Sequence, residues 1–570
     1  MSGPRRLTLL AFLVAALCCL ARLGALPLIQ PDEGRNAEVA REMVARGAWL
    51  VPTYDGLPYL DKPAFYFRVV GLSMAALGLN ETAARLPGAL AALGVLALVY
   101  GFARRSYGER AAALAVLVVG TTPLVIAFAR IVIFDMLLAF FVIAAILAGF
   151  VAEEREGAAR TRWYLLGAAC AALGTLTKGP VGFLLPALVL GVFHVVSGSP
   201  RAIRRLLAPV NLLVFFAIVL PWFFGVAHQR PDFPYYGLVE ESFHRFTAPQ
   251  QFHRGAPFWY YVPVIAGVFF PWSLITPESL VVAWRNRSGW TRADRLLVCW
   301  VLVAVVFFSI SQSKLPGYVL TAVVALGLLV ARVLDAAVDR PRGRAGRLVV
   351  RAAVALAVIA GLAAGLLALA SATPGGLLAH LKAGETARLA PATGALTWVL
   401  GILAAAAAVA AWRRSTPAAC AAFALPPLLL LTVGFGGART YAESASARRL
   451  AERLPALPPA SDVACLQCLP NGLPFYLRRG ITVVTRDGSE TTSNYVVFLL
   501  KRVSPWPDGV VPLAALGDWL AARRGPVYLL ADAGGRSRLD SIAASRSAAV
   551  DTLTDGWWGT LLPAPVGGGR

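Results

Sequence analysis

Residues 135–152 read DMLLAFFVIAAILAGFVA, an apolar run with a single ionisable side chain, Asp135, at its start. A helix needs about 20 predominantly apolar residues to cross the hydrocarbon core of a bilayer. The stretch therefore predicts a membrane-spanning helix that begins at an acid. An ionisable residue in that setting is a functional-site candidate by default, because exposing it to lipid is costly.

The composition of the whole chain also indicates a membrane protein. Of its 570 residues, 58% are hydrophobic and 15% are charged, and the mean hydropathy is +0.66. Soluble domains carry about 25% charged residues, so a single soluble domain is excluded. The formal net charge of +22 comes from loops between apolar runs. Lys and Arg set membrane topology there, and the charge does not indicate a nucleic-acid partner.

The apolar runs predict an all-α polytopic membrane protein with about thirteen transmembrane helices. The runs lie at residues 7–27, 86–103, 111–129, 135–152, 163–177, 180–197, 206–227, 258–282, 296–311, 315–334, 348–370, 393–412 and 417–435. A further apolar segment, 65–79, is too short to span comfortably. It favours a helix that lies at the membrane interface.

The basic residues orient these spans. With the N-terminus in the cytoplasm, all seven inner segments are basic, as the positive-inside rule requires. Examples are Arg104 and Arg105 in one segment and Arg340 and Arg342 in another. The outer loops, including the long first loop 28–85, interleave their charges with aromatics and prolines. We therefore predict a transmembrane domain over 1–435 and a C-terminal domain over 436–570 that faces outward.

The C-terminal segment 436–570 has a different pattern. Short apolar runs such as VYLLA at 527–531 are separated by Gly, Pro and Asp turns, which predicts a small α/β domain. Cys465 and Cys468 form a C-x-x-C pair within it. Zinc would need two more ligands at similar spacing, so we expect a local disulfide or two inert thiols.

Two adjacent acids, Asp32 and Glu33, follow the first span in QPDEGRNAEVAREM. Such acids should face water, where a carboxylate can accept a proton from an attacking hydroxyl or hold a cation. The alternative interpretation is a helix N-cap, since Asp32 precedes a good helical run. The two interpretations do not exclude each other. For Asp135, the alternative to a functional acid is a structural ion pair with Arg130.

Four cations lie on the predicted outer side: Lys62, Lys178, Arg245 and Lys314. Each lysine adjoins a Pro or Gly that breaks a helix. Converging cations would form an anion site, and a phosphate is the obvious anion. The alternative for each residue is snorkelling to lipid headgroups.

The chain also resembles a known family. It is similar to the GT-C membrane glycosyltransferases that use lipid-phosphate sugars, above all the undecaprenyl-phosphate aminoarabinose transferases, whose more distant relatives are the protein O-mannosyltransferases. The matching stretches are PDEGRNAEVAREM, GAWLVPTYDGLPYLDKPAFYF, ARLPGALAAL, ARIVIFDMLLAFF, LTKGPVGFLLP, PWSLITP and SISQSKLPGYVL. They cover most of residues 28–335. The C-terminal segment 436–570, called the tail below, matches only around LPFYL and ETTSNY.

The resemblance implies roles for individual residues. The catalytic acids would be Asp32, with Glu33 beside it, and Asp135. The residues that hold the lipid phosphate would be Arg35, Tyr59, Lys62, Lys178, Arg245 and Tyr318. Two positions depart from the family pattern: Asn36 stands where Tyr is common, and Asp61 where Glu is common. The sugar or the acceptor can therefore differ from aminoarabinose and lipid A.

The implied activity is inverting transfer of a sugar from an undecaprenyl (polyprenyl) phosphate to an acceptor outside the cell membrane. That acceptor would be lipid A, lipopolysaccharide or another envelope glycan, with protein as the alternative. The cations would stabilise charge on the leaving phosphate. We predict no required cofactor, although Asp32 and Glu33 could hold a divalent cation. We expect a monomer in the bacterial inner membrane.

The competing class is a lipid or ion transporter in which Asp32, Asp135 and Lys178 form an ion path. Two features argue against it. The polar residues collect on one predicted side rather than at the midplane, and no pair of Gly- or Pro-broken half-helices repeats between the chain halves.

Overall fold

The computed structural model describes residues 3–244, 256–285, 287–372, 383–458, 461–554 and 556–564. Contacts divide the chain into two compact units. The first contains Met1–Leu23, Arg85–Trp222 and Ser242–Tyr441, and the second contains Gly24–Ala84, Phe223–Glu241 and Ala442–Arg570. The first loop is thus grouped with the tail in one unit. The predicted domain boundary at residue 435 stays a prediction.

Helices dominate the first unit. They are Gly3–Leu20, Glu81–Tyr107, Glu109–Gly120, Pro123–Arg130, Asp135–Ala152, Gly157–Lys178, Val181–Val196, Arg201–Leu206, Pro209–Gln229, Tyr261–Val268, Thr276–Arg285, Arg292–Ile310, Leu320–Asp339, Arg344–Ala372, Ala383–Trp412, Thr416–Leu431 and Phe435–Ser444. Three of them continue into segments of the second unit: Glu81–Tyr107, Pro209–Gln229 and Phe435–Ser444.

Many of these helices are suited to a membrane. Among the described residues, seven are long and apolar enough to cross a bilayer, or up to nine if each of two bent pairs is one span. The bent pairs are Glu109–Gly120 with Pro123–Arg130 and Thr416–Leu431 with Phe435–Ser444. The polytopic helical class is confirmed, while the count of thirteen spans stays a prediction. The predicted run 258–282 is divided into Tyr261–Val268 and Thr276–Arg285, with Pro271 between them.

Close helix packing in the first unit surrounds the predicted acid Asp135. The helix Asp135–Ala152 contacts both Gly157–Lys178 and Val181–Val196. The latter two form a tight hairpin, because a Cβ on Gly182 would lie 2.2 Å from the backbone carbon of Gly174. The turn between them passes through Gly179, whose φ of 104° is accessible mainly to glycine. This glycine-rich turn ends the helix at Lys178.

In the second unit, the first loop forms two helices and a hairpin. The first-loop helix, Asp32–Arg46, packs against the helix Phe65–Leu77. Strands Thr53–Tyr54 and Leu57–Pro58 pair antiparallel between them. Phe65–Leu77 has 13 residues and is too short to span. Its place at the membrane interface stays a prediction. The segment 223–241 adds the short helix Phe233–Tyr235 and the start of the π-helix Tyr236–His244.

The tail forms a six-stranded sheet, which confirms the predicted α/β domain. In spatial order the strands are Val510–Pro512, Thr482–Thr485, Asp462–Leu466, Val527–Asp532, Trp557–Leu562 and Asp551–Thr554. The first four are parallel and the last two pair antiparallel. Short helices lie at Arg448–Arg453, Leu473–Leu477, Asn494–Leu500, Leu516–Ala521 and Arg536–Ser545.

The core of the tail explains its pattern of short apolar runs. Strand residues such as Leu466, Val484 and Leu529 are fully buried and pack with Leu539 from the helix Arg536–Ser545. Parallel central strands are buried on both faces and therefore read as continuous apolar runs. Both cysteines of the C-x-x-C pair are buried free thiols.

Candidate active site

The first-loop helix presents the predicted catalytic acid at its N-terminus. Asp32 is the first helical residue, and its side chain is 54% exposed. Its Oδ1 accepts a hydrogen bond of 2.5 Å from Nη2 of Arg35, one helical turn later. Pro31 is the residue before the helix, so Asp32 is not the N-cap but lies in the first turn, where an acid complements the helix dipole. Glu33 is buried, and its Oε2 accepts the N–H of Ile29 at 3.0 Å.

Arg35 links the acid to the tail. Its Nη1 donates to the hydroxyl of Thr492 at 2.7 Å and to the Thr492 carbonyl at 3.2 Å. The guanidinium carbon lies 5.7 Å from the ring centre of Tyr59, which is itself buried. Arg35 is also buried. The exposed Asp32 carboxylate is therefore attached to a fixed cation rather than to a mobile surface side chain.

Lys62 lies in the first loop, between the hairpin and the helix Phe65–Leu77. Its ammonium pairs with Glu241 and donates to the carbonyl of Asp61 at 2.6 Å. The Lys62 and Glu241 side chains are only 10% and 12% exposed. A largely buried ammonium held by a carboxylate can bind an anionic ligand if that ligand replaces the carboxylate.

Asp61 fixes the backbone beside Lys62. Its Oδ1 accepts the N–H of Tyr495 and the hydroxyl of Tyr236, both at 2.7 Å, and its Oδ2 accepts the N–H of Asn494 at 3.1 Å. These amides begin the helix Asn494–Leu500, and the first amides of a helix favour a negative charge. Related proteins commonly have Glu at this position. In this chain the shorter carboxylate of Asp61 holds the first amides of the helix Asn494–Leu500.

In the first unit, Asp135 pairs with Lys178. The Lys178 ammonium lies 2.6 Å from Oδ1 of Asp135, and both side chains are mostly buried. The same ammonium lies 4.9 Å from the ring centre of Phe134 and 5.1 Å from that of Tyr318. Aromatic faces attract cations at these distances. The structure thus brings together three predicted residues, Asp135, Lys178 and Tyr318.

The alternative pairing of Asp135 with Arg130 is wrong. The Arg130 guanidinium donates to the carbonyls of Cys18, at 3.0 Å, and of Cys19 and Arg22, both at 3.4 Å. The first two carbonyls belong to the last turn of the helix Gly3–Leu20, where carbonyls lack partners within the helix. Arg130 satisfies them and leaves Lys178 as the partner of Asp135.

Of the two remaining predicted cations, Arg245 and Lys314, the structure describes only Lys314. Arg245 lies outside the described residues. Lys314 is buried, and its ammonium donates to the Ser311 carbonyl at 2.6 Å. Within the described part of the chain, no carboxylate lies within salt-bridge distance of Lys314. A buried ammonium without a counter-ion is costly, which keeps Lys314 a candidate for contact with an anion.

The predicted residues are thus grouped within each unit. The second unit contains Asp32, Glu33, Arg35, Tyr59 and Lys62, and the first contains Asp135, Lys178 and Tyr318. Sequence reasoning missed Thr492 and Glu241 as partners. The available signals were weak: Thr492 lies in ETTSNY, and Glu241 lies four residues before Arg245.

The described side chains that could ligate a metal do not indicate a metal centre. Among the described ranges, no group of three or more His, Cys, Asp or Glu side chains is arranged to hold a metal ion. Near Asp32, the Arg35 guanidinium supplies the neighbouring positive charge.

Sequence comparisons identify relatives. The model of the dolichyl-phosphate-mannose-protein mannosyltransferase family matches residues 61–224. An undecaprenyl phosphate-alpha-4-amino-4-deoxy-L-arabinose arabinosyl transferase of Erwinia tasmaniensis is 32% identical over 57% of this chain and 59% of its own. The protein of that name from Serratia proteamaculans is 35% identical over 55% and 57%. The matched region thus spans less than two thirds of these relatives.

Structural comparison extends the similarity to the whole chain. The crystal structure of ArnT from Cupriavidus metallidurans bound to undecaprenyl phosphate has a TM-score of 0.84 and 28% sequence identity, and the match covers 99% of both chains. The apo structure of the same protein matches with a TM-score of 0.83. These comparisons confirm the resemblance seen in the sequence motifs. In fold and motifs the chain is similar to the GT-C membrane glycosyltransferases of the undecaprenyl phosphate aminoarabinose transferase group.

Proposed function

We propose that this protein is an inverting glycosyltransferase that moves a sugar from undecaprenyl phosphate to lipid A in the bacterial envelope. The observation that carries the proposal is the match over 99% of both chains to a structure with bound undecaprenyl phosphate. The names of the sequence relatives describe aminoarabinose transfer from that carrier. The same class of donor is therefore proposed for this chain.

The donor phosphate would be bound by lysines that have carboxylate partners in this structure. Lys62 pairs with Glu241, and Lys178 pairs with Asp135. A phosphate that replaces either carboxylate gains charge-assisted hydrogen bonds in a largely buried setting. The lysine that binds the phosphate would then stabilise the charge that develops as the phosphate leaves. A role for Arg245 with them stays a prediction.

The acceptor would be engaged by Asp32. This carboxylate is more than half exposed and is oriented by Arg35, so an incoming hydroxyl or phosphate can reach it. The acceptor oxygen would attack the anomeric carbon, and the bond from that carbon to the phosphate oxygen would break. Asp32 would take the proton of a hydroxyl acceptor as a general base. A phosphate acceptor needs little deprotonation, and Asp32 would then mainly orient it.

The multi-pass membrane character follows from the helices described above. We propose the bacterial inner membrane, with the tail and the first loop facing the periplasm. The Arg-rich segments between spans support this orientation through the positive-inside rule.

The test is transfer by the purified full-length protein in lipid nanodiscs. Undecaprenyl phosphate aminoarabinose and lipid A are supplied, and the products are weighed by mass spectrometry. We expect modified lipid A from the wild type and a loss of about 10²- to 10⁴-fold in Asp32→Asn. Asp540→Asn is the matched control, because this acid is 46% exposed and paired with Arg536 in the same unit.

Two results would overturn the proposal. Normal turnover by Asp32→Asn would remove the catalytic role of this acid. Absence of lipid A product together with glycosylated protein in a peptide-acceptor assay would favour the second candidate function, transfer to protein. That candidate is supported by the match of residues 61–224 to the protein mannosyltransferase family.

A further inference from the structure

The tail segment ETTSNY, residues 490–495, contacts the first loop at two points. Thr492 accepts hydrogen bonds from Arg35, and the amides of Asn494 and Tyr495 donate to Asp61. Arg35 is the partner of Asp32, and Asp61 precedes Lys62. One short segment of the tail therefore anchors the immediate neighbours of a proposed catalytic acid and of a proposed phosphate-binding lysine.

Thr492 has an uncommon backbone conformation. Its φ of 53° and ψ of 23° lie in the left-handed region, which a β-branched residue rarely adopts. The surrounding turn is well determined, since the Thr492 N–H donates to the Ser489 carbonyl at 3.0 Å and the Thr491 hydroxyl donates to the Gly488 carbonyl at 2.7 Å. Strained residues that persist in this way cluster at functional sites.

In this conformation, two oxygens of Thr492 bind the same nitrogen of Arg35. The carbonyl and the hydroxyl of Thr492 both accept from Nη1 of Arg35, while Nη2 of the same guanidinium donates to Asp32. An exposed ion pair by itself is worth little, because two mobile side chains must be ordered to form it. Here the guanidinium is buried and held from the tail side, so the bond to Asp32 has a defined direction.

A second contact fixes the backbone of the first-loop helix. A Cβ on Gly34 would lie 2.5 Å from Cα of Gly472, so the first turn of the first-loop helix is in close contact with the tail. Beside it, the Tyr54 hydroxyl donates to the Asn471 carbonyl at 3.0 Å. The helix backbone and the Arg35 side chain are thus positioned by two separate tail segments.

We propose that Thr492 is a positioning residue that orients the Asp32 carboxylate through Arg35. The inference rests on the proposed function of Asp32 as the residue that engages the acceptor. The proposed role of Thr492 is indirect. It acts by holding the cation whose other nitrogen defines the direction of the carboxylate.

The test compares three substitutions in the transfer assay. Thr492→Val removes the hydroxyl and keeps the β-branched shape, so kcat should fall roughly 10- to 100-fold, the scale of a lost hydrogen bond to a charged group. The KM for the undecaprenyl phosphate sugar should stay close to the wild-type value. Thr492→Ser restores the hydroxyl and should recover turnover. Thr560→Val is the control, because it removes a different tail hydroxyl, which is buried and bonded to the Ala549 carbonyl.

A second measurement separates positioning from general stability. In an Asp32→Asn background, Thr492→Val should lower the residual turnover by less than about 2-fold, since the residue that it orients is already lost. An equal loss in both backgrounds, or wild-type kcat in Thr492→Val, would overturn the inference. If Asp32→Asn itself has normal turnover, the proposed function of Asp32 fails instead, whatever the Thr492 variants show.

Discussion

The ammonium of Lys178 lies 2.6 Å from the Asp135 carboxylate, and this contact joins the end of one helix to the start of another. An acid at a helix N-terminus and a base at a C-terminus each complement the helix dipole. Lys178 ends its helix at the turn through Gly179. Two predicted site residues are therefore each other's counter-ions.

This pair can be tested for a role beyond structure. Removing one partner of a buried ion pair costs about 3–5 kcal/mol, whereas replacing both is often neutral. We expect Asp135→Asn to lose both thermal stability and sugar transfer. The double variant Asp135→Asn with Lys178→Met should regain stability but not transfer, as measured by thermal unfolding in detergent and by product formation. Recovery of transfer in the double variant would reduce the pair to a structural role.

The Lys62 side chain should contribute to donor binding. A charge-assisted hydrogen bond is worth about 1.5–3 kcal/mol, so Lys62→Ala should weaken binding of the undecaprenyl phosphate sugar roughly 10- to 150-fold. Glu241→Gln removes the carboxylate that competes with the phosphate and should leave donor affinity unchanged or tighter. Direct binding measurements on both variants check this. A defect of Lys62→Ala confined to acceptor affinity would contradict the assignment.

Asp55 should make the second unit less stable as the pH rises. It is buried in a hairpin turn with Gly56, and its Oδ1 accepts the Ile481 N–H at 2.6 Å. Burial, reinforced by Glu42 and Glu38, raises the pKa of Asp55 well above its usual range. A raised carboxyl pKa in the folded state gives stability that is present at low pH and is lost as the pH rises through that pKa.

The substitution Asp55→Asn isolates this effect. Asparagine keeps the acceptor and tolerates a positive φ, but it does not ionise. The midpoint of thermal unfolding should fall between pH 5 and pH 8 in the wild type by about 2–4 °C more than in the variant. Glu38, whose pKa is raised by burial to about 7, contributes with the same sign to both proteins. Equal pH dependence in the two would show that Asp55 remains ionised in the folded protein.

Membrane topology can be checked with reporter fusions. Fusions after Gly108 and Arg342 should report the cytoplasm, and a fusion after Leu450 should report the outside, because all the predicted inner segments are basic. Enzymatic reporters active on only one side of the membrane make the measurement. A cytoplasmic signal after Leu450 would contradict the thirteen-span topology.

The partners of the site residues were only partly predictable from sequence. Asp32 and Asp135 were identifiable because an acid next to an apolar run costs free energy if it faces lipid. Such an acid is therefore a functional candidate by default. Arg35 was identifiable only through the family motif. The alternative interpretation of Asp135, an ion pair with nearby Arg130, was wrong because Arg130 binds helix-end carbonyls. Nothing in the local pattern around Thr492 indicated that it would contact Arg35, 457 positions away.

The sequence by itself determined the membrane class, the positions of many helices, the α/β tail and the residue types of the candidate site. These properties depend on local hydrophobicity, turn residues and short motifs, which are properties of neighbouring positions. The tertiary structure decided which charges pair: Lys178 with Asp135, Lys62 with Glu241, and Arg35 with both Asp32 and Thr492. A charged side chain takes the partner that chain packing brings within hydrogen-bond reach, and packing brings together residues far apart in the sequence.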